Sequence, residues 1–151
     1  MKKIVLMFIV LVLLLGGCSN DTKDEVAEDE VIIKFVFDTD VVIYGIHIEY
    51  YLEENPMGGK YYNPADGSPF EKGEDIWVRF YQSTDFPEDA DLSLFNFELY
   101  TFPEEAQIIA GETGEDEVLI KALSLVVEYG KAYTFSIIDN DGVLELKRID
   151  T

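Results

Sequence analysis

A single histidine, His47, and a single cysteine, Cys18, stand among 31 aspartates and glutamates in a chain of 151 residues. A Ser-His-Asp triad would have to use His47, with a serine brought to it by the fold. No Gly-x-Ser-x-Gly elbow occurs in the chain. One histidine is also too few for a His-rich zinc or copper site. His47 is therefore expected to be an exposed or hydrogen-bonded structural residue. Glycosidase chemistry needs two carboxyls about 5 to 10 Å apart, and with this many acids some pair meets that distance by chance. Calcium takes six to eight oxygen ligands. Its candidate loops are Asp139-Asn140-Asp141-Gly142, the connection carrying Asp85, Glu88, Asp89 and Asp91, and the pair Asp38 and Asp40. None has the full EF-hand spacing. Among nine Tyr, ten Phe and one Trp, the candidate binding aromatics are Trp77 with Tyr81, and Tyr61 with Tyr62 beside the Gly58-Gly59 pair. Such rings serve carbohydrate and protein surfaces, but two packed sheets would also bury most of them. No phosphate-cradling glycine loop or dinucleotide fingerprint is present.

Cys18 stands in a context of its own. The chain begins Met1-Lys2-Lys3, runs apolar from Ile4 to Leu15, and continues Leu15-Gly16-Gly17-Cys18-Ser19. A basic start, a short apolar stretch and small residues before a cut site compose a secretory signal. As a helix, residues 4–15 would span about 18 Å, short of a hydrocarbon core about 30 Å thick. Leu15-Gly16-Gly17-Cys18 resembles the lipobox of bacterial lipoprotein precursors, with Gly16 where Ala or Ser is more usual. The resemblance covers roughly the first 20 residues. It implies a diacylglyceryl group on the Cys18 sulfur, cleavage before Cys18 and acylation of the new amino terminus, so residues 1–17 are the signal peptide. Two or more acyl chains hold a protein firmly where one holds it weakly. It also implies that, in a host with two membranes, Ser19 in place of Asp after the cysteine sends the protein to the outer membrane.

After Cys18 no further cysteine occurs. A disulfide framework, a zinc–thiolate site and a cysteine nucleophile are thereby excluded, and stability must come from packing. Removing Lys2 and Lys3 takes the formal charge from −20 to −22. A charge of that size repels phosphate backbones and anionic membrane surfaces, which excludes nucleic acid as a partner and leaves lipid as the contact with the membrane.

These residues need a scaffold, and the texture of the chain specifies one. Residues 18–30 comprise the cysteine and an acidic tether, SNDTKDEVAEDE, which cannot bury enough apolar surface to offset its ordering. The domain is expected over residues 31–151. Residues 31–37 read as a β-branched, aromatic strand. In residues 41–53, Tyr44, Ile46, Ile48 and Tyr50 alternate with Gly45, His47, Glu49 and Tyr51, the period of a half-buried strand. Asn55-Pro56-Met57-Gly58-Gly59 reads as a turn, with Lys60-Tyr61-Tyr62 pairing back. Further strands are expected over 75–82, over 92–102 with Phe95, Phe97 and Leu99 inward, and over 117–129 with a bulge or break near Ala122. A final hairpin joins 131–138 to 143–149 through Asp139-Asn140-Asp141-Gly142. Seven or eight short strands without convincing amphipathic helices predict an all-β, antiparallel β-sandwich, immunoglobulin-like in architecture but without the Cys-Trp-Cys signature.

The resulting expectation is an anchored, non-catalytic domain that meets an extracytoplasmic protein or an envelope glycan, with a calcium- or carbohydrate-binding module as the alternative.

Overall fold

A computed structural model describes residues 25–103 and 117–149. The signal peptide, Cys18 and most of the tether lie outside the described residues. Eight strands form an all-β sandwich of two four-stranded sheets. They are β1 (Glu30–Asp38), β2 (Gly45–Leu52), β3 (Asn55–Tyr62), β4 (Asp75–Tyr81), β5 (Phe95–Phe102), β6 (Val118–Ser124), β7 (Lys131–Asn140) and β8 (Val143–Arg148). One sheet runs β4-β1-β7-β8 and the other β3-β2-β5-β6. A single helical turn, α1 (Gln82–Asp85), follows β4, and a 3₁₀ turn (Leu92–Leu94) leads into β5.

Alternation puts β-branched and aromatic residues on the inner face of each strand. Val31, Ile33, Phe35 and Phe37 of β1 face Ile46, Ile48 and Tyr50 of β2 and Phe95, Phe97 and Leu99 of β5 across the core, and all are buried. Phe97 is the meeting point of the sheets. Its ring lies edge-on to Phe35 at 6.1 Å and to Phe135 at 5.9 Å, both from the opposite sheet. Edge-to-face rings at this separation add to the hydrophobic term.

The sandwich departs from the sequence expectation in four places. First, β1 and β7 pair in parallel, Val31 opposite Lys131 and Phe37 opposite Ile137, within otherwise antiparallel sheets. Short turns impose antiparallel pairing only on sequence neighbours. The whole second sheet lies between β1 and β7 and serves as their crossover.

Second, the segment expected to turn at residues 55–59 is strand throughout. Asn55 pairs with Leu52, so the turn is Glu53-Glu54, with Glu53 in the left-handed region (φ 55°). The Glu53 amide donates to the Leu94 carbonyl, and the Asn96 amide nitrogen donates to the Glu53 carbonyl at 2.9 Å. These contacts hold a conformation that glutamate rarely adopts. Pro56 is tolerated because β3 is an edge strand and a bulge adjoins it, Met57 being skipped between Pro56, opposite Tyr51, and Gly58, opposite Tyr50.

Third, β6 stops at Ser124, and the irregularity falls at Ile120, which is skipped between Leu119 and Lys121 in the pairing with β5. Leu125 and Val127 continue beyond the strand and stay buried, with their amides donated to Phe95 and Leu92 carbonyls. Residues 41–44 likewise lie outside β2, although Ile43 reaches the core.

Fourth, the domain takes up the end of the tether. Glu30 opens β1, fully buried, and its carboxylate accepts from Arg79 at 2.6 Å and from the Ala27 amide at 2.8 Å. The Gln82 amide donates to the Asp29 carbonyl.

Candidate functional site

On the outer face of the β3-β2-β5-β6 sheet, alternation alone decides which side chains meet. Counting outward positions in β2 gives His47, Glu49 and Tyr51. In β5 it gives Asn96, Glu98 and Tyr100. The register sets Glu49 directly opposite Glu98, His47 opposite Tyr100, and Tyr51 opposite Asn96. On the other side of β2, His47 faces Tyr61 of β3, and Glu49 faces Gly59.

His47 is only 2% exposed although it sits on the outside of the sheet. The expectation of an exposed histidine is corrected here, and the hydrogen-bonded alternative is what occurs. Cross-strand neighbours cover the ring: Tyr61 stacks on it at 3.9 Å and 9°, and Tyr100 lies 5.7 Å away. The Glu117 carboxylate, just before β6, meets Nδ1 at 3.0 Å. A carboxylate can only accept, so Nδ1 carries the hydrogen. On the β3 side the ring lies against Gly59. A Cβ built there would stand 2.8 Å from Nε2. Glycine at 59 is required by this close approach. Gly59→Ala is expected to displace a ring that Tyr61 and Tyr100 prevent from swinging aside, costing about 1–2 kcal/mol. The single imidazole resonance should move with it, and an unchanged imidazole spectrum would show that the ring has room to spare.

Glu49 and Glu98 share one pattern. The Tyr51 hydroxyl donates to Glu49 at 2.7 Å, and the Tyr100 hydroxyl donates to Glu98 at 2.6 Å, each from two residues further along its own strand. The hydrogen bond to Glu49, followed by burial and the charges of Glu49 and Glu98, pushes the Tyr51 hydroxyl up to about 12. Tyr100 is raised too, first by its bond to Glu98 and then by burial. Both phenols stay protonated and keep donating through the physiological range. Like charges directly opposite on adjacent strands repel. The two phenol donors offset part of that, and among the described residues no lysine or arginine pairs with either carboxylate.

Two hollows adjoin along this face, with Tyr51 between them. One, of about 290 Å³, is lined by His47, Glu49, Gly59 and Tyr61 among others. The second, of about 380 Å³, is lined by Glu53, Glu54, Asn96 and Glu98 with the end of β6.

The residues singled out in the sequence are scattered by the fold. Tyr61 belongs to the groove, but its neighbour Tyr62 points the other way and packs partly buried against the core. Trp77 and Tyr81 share the outer face of β4 on the opposite sheet. Lys34 lies 4.9 Å above the Trp77 ring and Arg79 5.8 Å, while Tyr81 is 40% exposed. The four aromatics therefore do not form one surface. Asp85 is drawn away from Asp89 and Asp91 into the protein. It accepts from Lys60 at 2.7 Å, from the Tyr50 hydroxyl at 2.8 Å and from the Tyr81 amide at 2.8 Å. Asp91 caps the 3₁₀ turn by accepting from the Ser93 amide and hydroxyl. Asp139 accepts from the Gly142 amide across a two-residue turn in which Asp141 and Gly142 both have positive φ (55° and 83°), the geometry of a type I′ hairpin. Asp40 is paired with Lys72. Among the described residues, no three histidine, cysteine or acidic side chains converge to hold a metal ion.

The groove was not assembled in the sequence reading, although part of its signal was there. Glu-x-Tyr occurs at Glu49-Tyr50-Tyr51 and again at Glu98-Leu99-Tyr100, in two strands each alternating with apolar residues. The register that sets the two motifs face to face is not a local property.

No family model matches the chain, and neither does any curated protein. Among solved structures, a disulfide-locked mutant of intermedilysin with human CD59 is similar at a TM-score of 0.40 and 8% identity, over 81% of this chain and 24% of that one. The human-specific toxin intermedilysin itself is similar at 0.38 and 10%, over 82% of this chain and 24% of that one. The chain spans about a quarter of the length of these proteins.

Proposed function

We propose that this protein is a non-catalytic, lipid-anchored binding module that meets a partner outside the cytoplasm through the outer face of the β3-β2-β5-β6 sheet. The observation that carries the reading is the groove on that face, in which two unneutralised carboxylates lie opposite each other beside a buried histidine. The lipobox-like Leu15-Gly16-Gly17-Cys18 supports the anchor, and the strong negative charge favours a basic partner over nucleic acid. The His47–Glu117 pair has the orientation of a base and its positioning carboxylate. A hydrolase would also need a nucleophile within reach, and among the described residues no serine, threonine or cysteine lines the hollow beside His47.

Anchor and binding separate experimentally. The native protein is expected to partition into the detergent phase and to sediment with membranes, and Cys18→Ser to do neither. Membrane association that survives Cys18→Ser would remove the lipid anchor from the reading. Crosslinking in cells, compared between the native chain and Glu49→Gln/Glu98→Gln, tests the face. Identical crosslinked products from both would place the contact elsewhere.

A further inference from the structure

The charged polar groups that line the groove are acceptors, while the Tyr61 and Ser124 hydroxyls at its sides can also donate. Glu49 and Glu98 are carboxylates, and the hydroxyl hydrogens of Tyr51 and Tyr100 are already committed to them. With Nδ1–H directed at Glu117, the neutral form of the His47 ring presents Nε2 as an acceptor. No described residue hydrogen-bonds to Nε2, which opens on the hollow: among the described residues the fully enclosed side-chain polar atom without a partner is the Tyr129 hydroxyl. His47 Nε2 lies against Gly59, which lines the same hollow. Lys60, the nearest cation along β3, turns to the opposite face and is committed to Asp85.

We propose that this groove holds the guanidinium or ammonium group of a basic side chain on a partner polypeptide, with Glu49, Glu98 and His47 Nε2 as its acceptors. The proposal rests on the binding-module reading and specifies its ligand. A cation rich in N–H donors satisfies separated acceptors that a neutral or anionic group would leave unpaired. A bare metal ion needs its ligands gathered on one point, and the described acidic and histidine side chains are not so gathered. Stacked Tyr61 and the intervening Tyr51 supply aromatic surface beside the charge, the setting in which cations gain further attraction. Two adjoining hollows of about 290 and 380 Å³, one on each side of Tyr51, fit successive side chains of a peptide laid across the strands.

Because His47 is the only histidine, its imidazole gives one ring signal in a ¹⁵N-labelled sample of the full chain in detergent. Ethylguanidinium, butylammonium and the neutral isostere ethylurea are titrated at constant ionic strength. The expected result is a saturable movement of the Nε2 resonance with both cations, at a dissociation constant on the order of millimolar, and none with ethylurea. Glu49→Gln and Glu98→Gln, each keeping a folded amide spectrum, should weaken the cations roughly ten-fold. Equal movement with ethylurea would overturn the proposal. So would no movement below about 100 mM, unchanged affinity in both glutamine variants, or saturation by Ca²⁺ with which ethylguanidinium does not compete. Any of these would leave the Cys18→Ser result untouched, so the ligand can fail while the anchored module stands.

Discussion

Phe97→Ala is expected to cost about 4 kcal/mol of folding stability, the middle of the range for truncating a buried aromatic. The ring is fully buried in β5 and is met by Phe35 and Phe135 of the facing sheet and by Phe95 of its own. Its removal opens a cavity that β-sheet backbones cannot close, because the two sheets are held apart by the neighbouring side chains. The melting temperature should fall by roughly 15 °C. Urea denaturation followed by circular dichroism measures the effect. A loss below about 1 kcal/mol would mean that the sheets collapse onto the gap and that the core is not organised around this ring. Phe97→Leu, which keeps most of the volume, should cost less than half as much.

The second large effect falls on a polar contact. Asp85→Ala is expected to cost about 3 kcal/mol. The carboxylate is 9% exposed and ties three parts of the molecule together: Lys60 of β3, the Tyr50 hydroxyl of β2 and the Tyr81 amide at the end of β4. The first two belong to one sheet and the third to the other. The Lys60 ammonium also lies 5.2 Å from the Phe80 ring. Without Asp85, a lysine that is largely covered and a buried phenol lose their partner, which is where the cost arises. Replacing Lys60 by Met and Tyr50 by Phe in the same chain should recover much of the loss, since an apolar set of similar volume needs no partner. A triple variant no more stable than Asp85→Ala alone would show that packing, not the polar contact, carries the effect.

The same group sets an acid limit. Burial pushes the Asp85 carboxyl upward, but hydrogen bonds from Lys60, the Tyr81 amide and Tyr50 outweigh it, and the carboxyl lies below the usual aspartate range. A folded value depressed below the unfolded one gives a stabilisation present in full above about pH 4, lost as pH falls through the folded value. The native chain should therefore lose stability on acidification with a component that Asp85→Asn lacks. Parallel stability–pH curves for the two would contradict it.

Much of the scaffold was legible from local pattern. Val31, Ile33, Phe35 and Phe37 alternate with a period of two, as do Phe95, Phe97 and Leu99, and each set is buried as that period requires. The final hairpin was equally clear, because Asp141-Gly142 is among the few pairs that accept positive φ at both turn positions. Where signals competed, local reading erred. Pro56 and the Gly58-Gly59 pair read as a turn, yet edge position and a bulge let them stay in β3. Asp85 read as one acid of a candidate calcium-binding connection, and only the approach of Lys60 and Tyr50, 25 and 35 residues away in sequence, turned it inward.

By itself the amino-acid sequence determined the all-β class, the inward face of most strands, the strongly acidic character, and the lipobox-like context of Cys18. These are properties of composition and of near neighbours, which a strand's alternation transmits directly. Only the tertiary structure decided that β1 lies parallel to β7, that Tyr61 and Tyr62 part to opposite faces, that Trp77 and Tyr81 sit on the other sheet, and that Glu49 stands opposite Glu98 beside a covered His47. Each of those depends on which residue of one strand pairs with which of another. Register is fixed by turn length, bulges and the joint burial of two sheets, so a shift of one residue would turn every side chain of the strand to the opposite face and dissolve the groove.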